Sequence, residues 1–520
     1  MSLRSLACVT RAHPPCHSKL AVSTCAALRH RCYATEAIVH DVLKPSAFGQ
    51  PTSRSHPHLV QPGEVTPGIP AEEYERRRVQ LIESLPEGSL VVSVSGQMKY
   101  MSGGASHYKF RQASDFWYLT GFEEPDSALI LEKDSSVRGF RMLLYSTGKD
   151  PSKEKWDGAY TRFADSVALF GADEGRPIED FAADLKALVA TASHVYVDAP
   201  SARRERAGRS TTKTLLKFLG GSRSSKTDPE SVLDALITAK RKPLASVVGE
   251  LRSVKSKYEQ AVLRAAADIS ARAHAKTMRL AQPGMSEADL AAHFEYICAR
   301  GGSQRPAYVP VVASGYNALV IHYTRNNHIL RDGELVLIDA GGEYNGYASD
   351  ISRTFPVNGT FTAPQRELYA ALLSAQKQLV ALCSTANGFS LDDLHRRSVE
   401  LLREELKQIG FEFGVQGRPS VLERVLYPHY LTHPVGIDLH ESGTFDRRAP
   451  LKEGMVITIE PGVYVPADPE FPKHFHGLGL RIEDEVLVGE RDPIVLSVAA
   501  PKEISDVEGA CQGALGFEPF

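Results

Sequence analysis

The stretch DGELVLIDAGG, residues 332–342, and its counterpart EGMVITIEPGV, residues 453–463, decide the fold. Each reads acid, Gly, five strand-forming residues, a carboxylate, and Gly two residues further on, so Asp339 and Glu460 occupy the same place. One such strand would be read as a buried strand that happens to end in an acid. Two matched strands read as a duplicated unit. A duplication sets the two carboxylates near a pseudo-twofold axis, where their side chains converge and a shared ligand is expected.

Each half carries further acid. After Asp339 the chain meets Asn345-Gly346, a strong two-residue hairpin signal, and returns through YASDISRTF. With that dipeptide as the turn, Asp339 faces Ser352 and Asp350 faces Gly341, so the two Asp side chains are diagonal neighbours on one face. After Glu460 the returning strand is LGLRIEDEVLV, in which Ile482, Asp484 and Val486 alternate with Arg481, Glu483 and Glu485. One of these acids must point inward, and alternation alone leaves the choice open. Four gathered carboxylates repel one another by about 4 kcal/mol per pair at 4 Å, even at an effective dielectric near 20. Two divalent cations would offset them and form a hydrolytic device, so the cluster predicts metal.

Histidines lie beside the acids. YPHYLTHPVGIDLHES, between the two halves, holds His429, His433 and His440, and His322 lies in LVIHYTRNN just before the first metal strand. A single such His reads as structural; three in one short stretch between the halves read as part of the site. His474 and His476 occupy a Pro/Gly-rich loop that no spacing links to the repeat, and are read as structural or at most as a channel rim.

Outward from this centre the composition is that of a globular chain: 520 residues, 42% hydrophobic, 24% charged, with 60 basic and 63 acidic residues. It excludes collagen-like, wholly disordered and small disulfide-scaffold classes, gives no global reason to expect a nucleic-acid partner, and contains no apolar run long enough for a membrane-spanning helix. Residues 1–35 contain no Asp or Glu but five Lys or Arg, the composition of a mitochondrial presequence; removing them leaves 55 basic against 63 acidic residues. Four of the seven cysteines leave with that segment, and Cys298, Cys383 and Cys511 are too widely spaced for a disulfide framework or a zinc pattern. Residues 36–70, rich in Pro, read as an extended or disordered linker. Strand candidates SLVVSVSG, SALILEK, GFRMLLYS and HVYVDAP, interleaved with helices over 71–85, 179–190 and 231–237, make 71–240 an α/β domain. Residues 241–500 form a second, α+β domain with the internal pseudo-twofold repeat, opened by helices from about Ser256 and Ser286, and 501–520 read as a tail.

This constellation resembles the metallopeptidase family of aminopeptidase P and prolidase, whose catalytic domain has the pita-bread fold. The resemblance spans about residues 71–498, and FRQASDFWYLTGFEEPD, residues 110–126, closely resembles the aminopeptidase P amino-terminal domain, which methionine aminopeptidases lack. It implies five metal ligands, Asp339, Asp350, His433, Glu460 and Glu483, and so designates Glu483 as the inward acid. It implies auxiliary roles for His322, His440, His429 and Arg481: the first two on the scissile carbonyl, His429 on the substrate side, Arg481 organising the acids. One cation would be held chiefly by Asp339 and the other by His433 and Glu460, with Asp350 and Glu483 between them; the oxygen-rich donor set suits manganese. Pro434, where many relatives carry a bulky or aromatic residue, departs from the pattern beside the substrate pocket.

The implied activity is an aminopeptidase acting on peptide or protein amino termini. Within the family, the first domain and presequence look most like mitochondrial members that trim one residue after presequence removal, in the matrix or at the matrix face of the inner membrane. The alternatives are a general Xaa-Pro aminopeptidase, a prolidase-type dipeptidase, or, least in keeping with five filled ligand positions, a non-catalytic binding module. Relatives commonly form a homo-oligomer, dimer or tetramer. The chain's own RCYAT, residues 31–35, places Arg two residues before Tyr33, as expected if processing after Cys32 is followed by removal of Tyr33.

Overall fold

The computed structural model describes residues 48–102, 106–198, 233, 241–413 and 421–520. The presequence and most of the expected helix over 231–237 lie outside the described residues. Each sequence-predicted strand of the amino-terminal domain forms: β1 (Ser89–Val94), β2 (Ala128–Lys133), β3 (Phe140–Ser146) and β5 (His194–Asp198). With β4 (Glu174–Pro177) and β6 (Arg241–Pro243) they make a six-stranded sheet in the order β4-β3-β2-β1-β5-β6. The central strands are buried on both faces, which is why Leu90–Val92 and Leu129–Leu131 read as unbroken apolar runs instead of alternating. Strand β6 lies beyond residue 240, so this sheet reaches past the boundary expected from sequence.

Two further segments differ from expectation. From Phe48 to Pro70 the Pro-rich stretch is a packed strap: Val60 and Ile69 are buried, and Gln50 donates to Gly121 O at 3.0 Å while accepting from Glu123 N at 2.9 Å. Its prolines pre-set extended and turn geometry, so the segment needs few contacts of its own to stay in place. Among the last twenty residues, helix Ile504–Gln512 buries Val507 and Ala510 in the catalytic core, and Pro501 O and Lys502 bond to the strands beneath the site.

The catalytic region opens with helices Lys257–Leu280 and Glu287–Arg300, each with a reciprocal capping box, at Ser256/Glu259 and at Ser286/Asp289. Its first half consists of β7 (Val311–Ser314), β8 (Leu335–Asp339), β9 (Gly342–Tyr344), β10 (Tyr347–Ala348) and β11 (Ser352–Pro356). Asn345 and Gly346, both at positive φ, turn β9 into β10, and Asp339 pairs with Ser352 as the dipeptide requires. The second half repeats the ladder with β12 (Val456–Ile459), β13 (Gly462–Tyr464), β14 (Gly479–Arg481) and β15 (Asp484–Leu487). One register runs through both of its strand pairs and sets Glu460 opposite Glu483.

The halves are joined behind the carboxylates by a fully buried Arg353, which donates to Ser352 O and Glu483 O, to Asp484 Oδ1 at 2.8 Å, and to the carbonyls of Ala500 and Pro501. A guanidinium suits this place because its rigid fork can serve several acceptors at once. The apolar core continues from the amino-terminal domain into the catalytic one: Trp117 packs edge-on to Tyr347 with ring centroids 5.8 Å apart, and Gly346 lies against the Trp117 ring.

Candidate metal centre and active site

A cavity of about 580 Å³ is lined by all nine residues that the sequence and its resemblance nominate: His322, Asp339, Asp350, His429, His433, His440, Glu460, Arg481 and Glu483. Asp339 ends β8, Asp350 lies between β10 and β11, and Glu460 and Glu483 face each other between the strand pairs of the second half. Ligand atoms of Asp350, His433 and Glu483 all lie within 4.8 Å of one another, and His433 Nε2 is 3.3 Å from Asp350 Oδ2 and 3.5 Å from Glu460 Oε1. Asp339 joins them through Tyr308, whose hydroxyl is 2.5 Å from Asp339 Oδ1 and 2.7 Å from Asp350 Oδ1.

The three acids of RIEDE separate by their partners. Glu483 faces the cavity and accepts from Ser352 Oγ at 2.7 Å. Asp484 points the other way, where Arg353, Ser497, Gln376 and Lys502 hold it ionised against its burial, well below the usual carboxylate range. Glu485 turns back to accept the amide of Asp350 and stays protonated through its burial.

The electrostatics describe a site short of positive charge. Burial drives Glu483 well above the usual carboxylate value, and Asp350, Glu460 and Asp339 push it the same way. Burial likewise raises Glu460 to about 8. Burial also opposes ionisation of Asp350, but its bond to His433 prevails and holds it below the ordinary value. Burial disfavours the His433 cation, yet Asp350 and Glu460 lift it to about 9. Arg481 brings a permanent charge into the acid cluster, donating to Asp339 Oδ2 at 2.6 Å, Ser352 Oγ at 2.8 Å and Tyr464 Oη at 2.6 Å, while Arg447, also on the cavity wall, turns to Asp392 and Thr432 O. His429 bonds Tyr464 Oη at 3.0 Å, and burial, with Arg481 nearby, lowers it to about 3. Since Arg481 donates to that hydroxyl, the tyrosine proton points to His429 Nε2, leaving Nδ1–H for Tyr430 O at 2.9 Å.

Residues 261–490 match the model of metallopeptidase family M24, and residues 74–196 match that of the aminopeptidase P N-terminal domain. Intermediate cleaving peptidase 55 from Saccharomyces cerevisiae is 39% identical over 474 residues, 91% of this chain and 90% of that protein. The chain belongs to metallopeptidase family M24. Human Xaa-Pro aminopeptidase 3 is 36% identical, covering 95% of this chain and 96% of its own length. A crystal structure of Icp55 from S. cerevisiae lacking its N-terminal 58 residues superposes with a TM-score of 0.75 at 37% identity, over 87% of this chain and 99% of that one. An Escherichia coli aminopeptidase P variant gives 0.74 at 32% identity, over 86% of this chain and 99% of that one. M24 metallopeptidases use a dinuclear divalent metal centre, and this member is a metallo-aminopeptidase of the aminopeptidase P type.

The donor set fits that centre: four carboxylates and one imidazole converge, and two of the acids are held protonated without cations. Sequence reasoning missed Tyr308 and Ser352, whose hydroxyls bond the acids, and Tyr464, whose hydroxyl joins Arg481 to His429. Ser352 was legible as the residue opposite Asp339, and its role follows once the second half is given the same register, since it then occupies the place of Glu483. Tyr308 and Tyr464 carry no local signal. His474 and His476 lie outside the cavity lining, and His476 bonds Phe471 O at 3.0 Å.

Proposed function

We propose that the chain removes a single residue from the amino terminus of imported mitochondrial proteins after presequence removal. The observation that carries this reading is the gathering of the nine site residues in one cavity, in a chain whose relatives include peptidases named intermediate cleaving in S. cerevisiae, Schizosaccharomyces pombe and, as a mitochondrial protein, Arabidopsis thaliana. The acid-free basic residues 1–35 support the same compartment, at the matrix or the matrix face of the inner membrane.

Asp339, Asp350, His433, Glu460 and Glu483 would hold two divalent ions, for which manganese fits the five-ligand set with its single imidazole. Such ions supply an activated water at neutral pH and polarise the scissile carbonyl. The chain's own residues do the rest. Glu460 accepts the proton released by the attacking water and delivers it to the leaving nitrogen. His440, its ring 4.3 Å from that of His433, and His322 donate to the carbonyl oxygen as it gains charge, each donor worth about 2.7–4 kcal/mol. Arg481 and Ser352 fix Asp339 and Glu483, while neutral His429 with Tyr464 forms the substrate-side wall. The division into presequence 1–35, linker 36–70, domains 71–240 and 241–500 and tail 501–520 is proposed with the packed strap 48–70, the β6 strand and the last helix as its exceptions. Association into a homo-oligomer is proposed by analogy with relatives.

A second reading, cleavage restricted to Xaa-Pro peptides, is favoured by the relatives named Xaa-Pro aminopeptidase 3. Profiling of the purified enzyme on peptides beginning Tyr-Ala, Xaa-Pro and on dipeptides separates the two. Amino-terminal proteomics of mitochondria lacking the protein should find substrates one residue long; unchanged termini would refute the processing role.

A further inference from the structure

The loop that carries His440 is held from outside the catalytic repeat. Asp438 stands two residues before His440 and Glu441 directly after it, and both carboxylates bond Arg252 of helix Ala245–Ser253. Arg252, 4% exposed, donates to Glu441 through Nε at 2.9 Å and Nη2 at 2.7 Å, to Asp438 Oδ2 at 2.7 Å, and through Nη1 to Asp115 Oδ1 at 2.6 Å. Asp115 belongs to the RQASD part of the amino-terminal signature. The same five residues supply Ser114 Oγ, donating to Asp438 Oδ1 at 2.6 Å, and Arg111 Nη2, donating to Ile437 O at 2.7 Å. The loop is closed on itself by Asp438 N to Glu441 Oε2 at 2.9 Å and Glu441 N to Pro434 O at 2.9 Å, directly beside His433. A side chain at Gly436 would meet the Glu441 carboxyl at 2.7 Å, so the closure is tight.

These bonds leave the loop little freedom. Two elements distant in sequence, the RQASD segment and helix Ala245–Ser253, hold Asp438 and Glu441 around His440, while His440 itself is held in the cavity by ring contact with His433. A fork that engages three carboxylates is a task for Arg and not for Lys.

We propose that the RQASD segment and Arg252 form a positioning clamp for His440, through which the amino-terminal domain sets the geometry of carbonyl stabilisation. The inference rests on the proposed role of His440. It explains why the signature segment faces the catalytic loop with its polar residues and the repeat's hairpin with Trp117. Misplacement of a group by about 1 Å can cost 10²-fold in rate, so the clamp acts on kcat and not on binding.

The test is a double-mutant cycle on the full-length, metal-loaded enzyme with a peptide beginning Tyr-Ala. His440→Ala should lower kcat by about 10²–10³. Arg252→Lys should lower kcat by about 10- to 100-fold, with KM within about twofold and the metal content of the wild type. In the His440→Ala background, Arg252→Lys should have no further effect beyond about twofold. Should Arg252→Lys fail to fold or to load metal, Ser114→Ala carries the same cycle, with an expected loss of about 3- to 10-fold that disappears without His440. An undiminished loss in the His440→Ala background, or an unchanged kcat in the single variants, would overturn the clamp alone. A His440→Ala enzyme with wild-type kcat would overturn the role of His440 and the clamp with it.

Discussion

Stripping the divalent cations from the centre leaves Asp339, Asp350, Glu460 and Glu483 facing one cavity, and the structure gives the proton count that takes the cations' place. Burial raises Asp339 above its ordinary value while the Arg481 guanidinium at 2.6 Å favours its ionised form, and Asp350 lies below its ordinary value beside His433, so both are assigned as ionised at pH 7. His433, lifted to about 9, is then a cation, while Glu460, raised to about 8, and Glu483, raised well above the carboxylate range, are neutral. Two negative and two positive charges balance. With the five proposed ligands binding metal in their deprotonated forms, loading the apoprotein at pH 7 should release about three protons per chain, from His433, Glu460 and Glu483. The assay is calorimetric titration of apoprotein with manganese in buffers of different ionisation enthalpy, repeated from pH 6.5 to 9.5. Release should fall as the pH passes about 8 and then about 9. The same groups set the pH dependence of apoprotein stability. Each has a folded pKa above its unfolded one, so its contribution is complete below the unfolded value and is lost as pH rises toward the folded value. For Glu460 that window runs from 4.5 to about 8, and for His433 from 6.5 to about 9, each at about 1.4 kcal/mol per pH unit. Release of fewer than about one proton at pH 7, or an apoprotein whose stability rises across this window, would refute the charge balance.

Asp350→Asn should reduce kcat/KM by more than the roughly 10–100-fold typical of residues that only support a ligand, with metal content measured in parallel; near-wild-type turnover with both metals bound would contradict the ligand assignment. Trp117→Ala should cost about 3–5 kcal/mol in denaturant unfolding of the metal-loaded protein, because the ring is packed between Tyr74, Tyr347 and Gly346; a loss below about 1 kcal/mol would mean that the shared core collapses around the gap. Amino-terminal sequencing of the chain from wild-type mitochondria should begin at Ala34, and a mature chain beginning at Tyr33 would show that it does not trim its own kind.

The duplicated strands, the Asn345-Gly346 turn and the helix start at Ser286 were legible because each rests on local chemistry: strand period, left-handed φ, and side chains bonding the next turn. Asp339 opposite Ser352 followed from the turn alone. The inward acid of RIEDE was not legible in that way, because residues 465–478 separate β13 from β14 and a loop of that length does not set a register. The resemblance supplied Glu483, and the structure gives the reason: Asp484 is consumed by Arg353 and Lys502, and Glu485 by the amide of Asp350. The Pro-rich strap and the last helix were under-read for a related reason. Their order comes from contacts such as Gln50 with Gly121 and Lys502 with Asp484, made to residues far away in the chain.

The register also shows that the two halves are equivalent in backbone and opposite in charge. With Asp339 matched to Glu460, the first half places Ser352 and Asp350 where the second places Glu483 and Arg481. A strictly repeated site would put a carboxylate at Arg481 and bring a further like charge against Asp339 and Glu483. The guanidinium there does the reverse: it neutralises Asp339, and through Ser352 Oγ it shares one hydroxyl with Glu483, tying the acids of both halves to one rigid fork. Asp339 therefore shares its charge with a directly bonded guanidinium, whereas Glu460 lies against His433, His429 and Thr458. Two cations bound in such a cavity experience different fields, so the asymmetry needed to hold a substrate on one side and activate water on the other is already present in which residue types fill the equivalent positions of the duplicated strands.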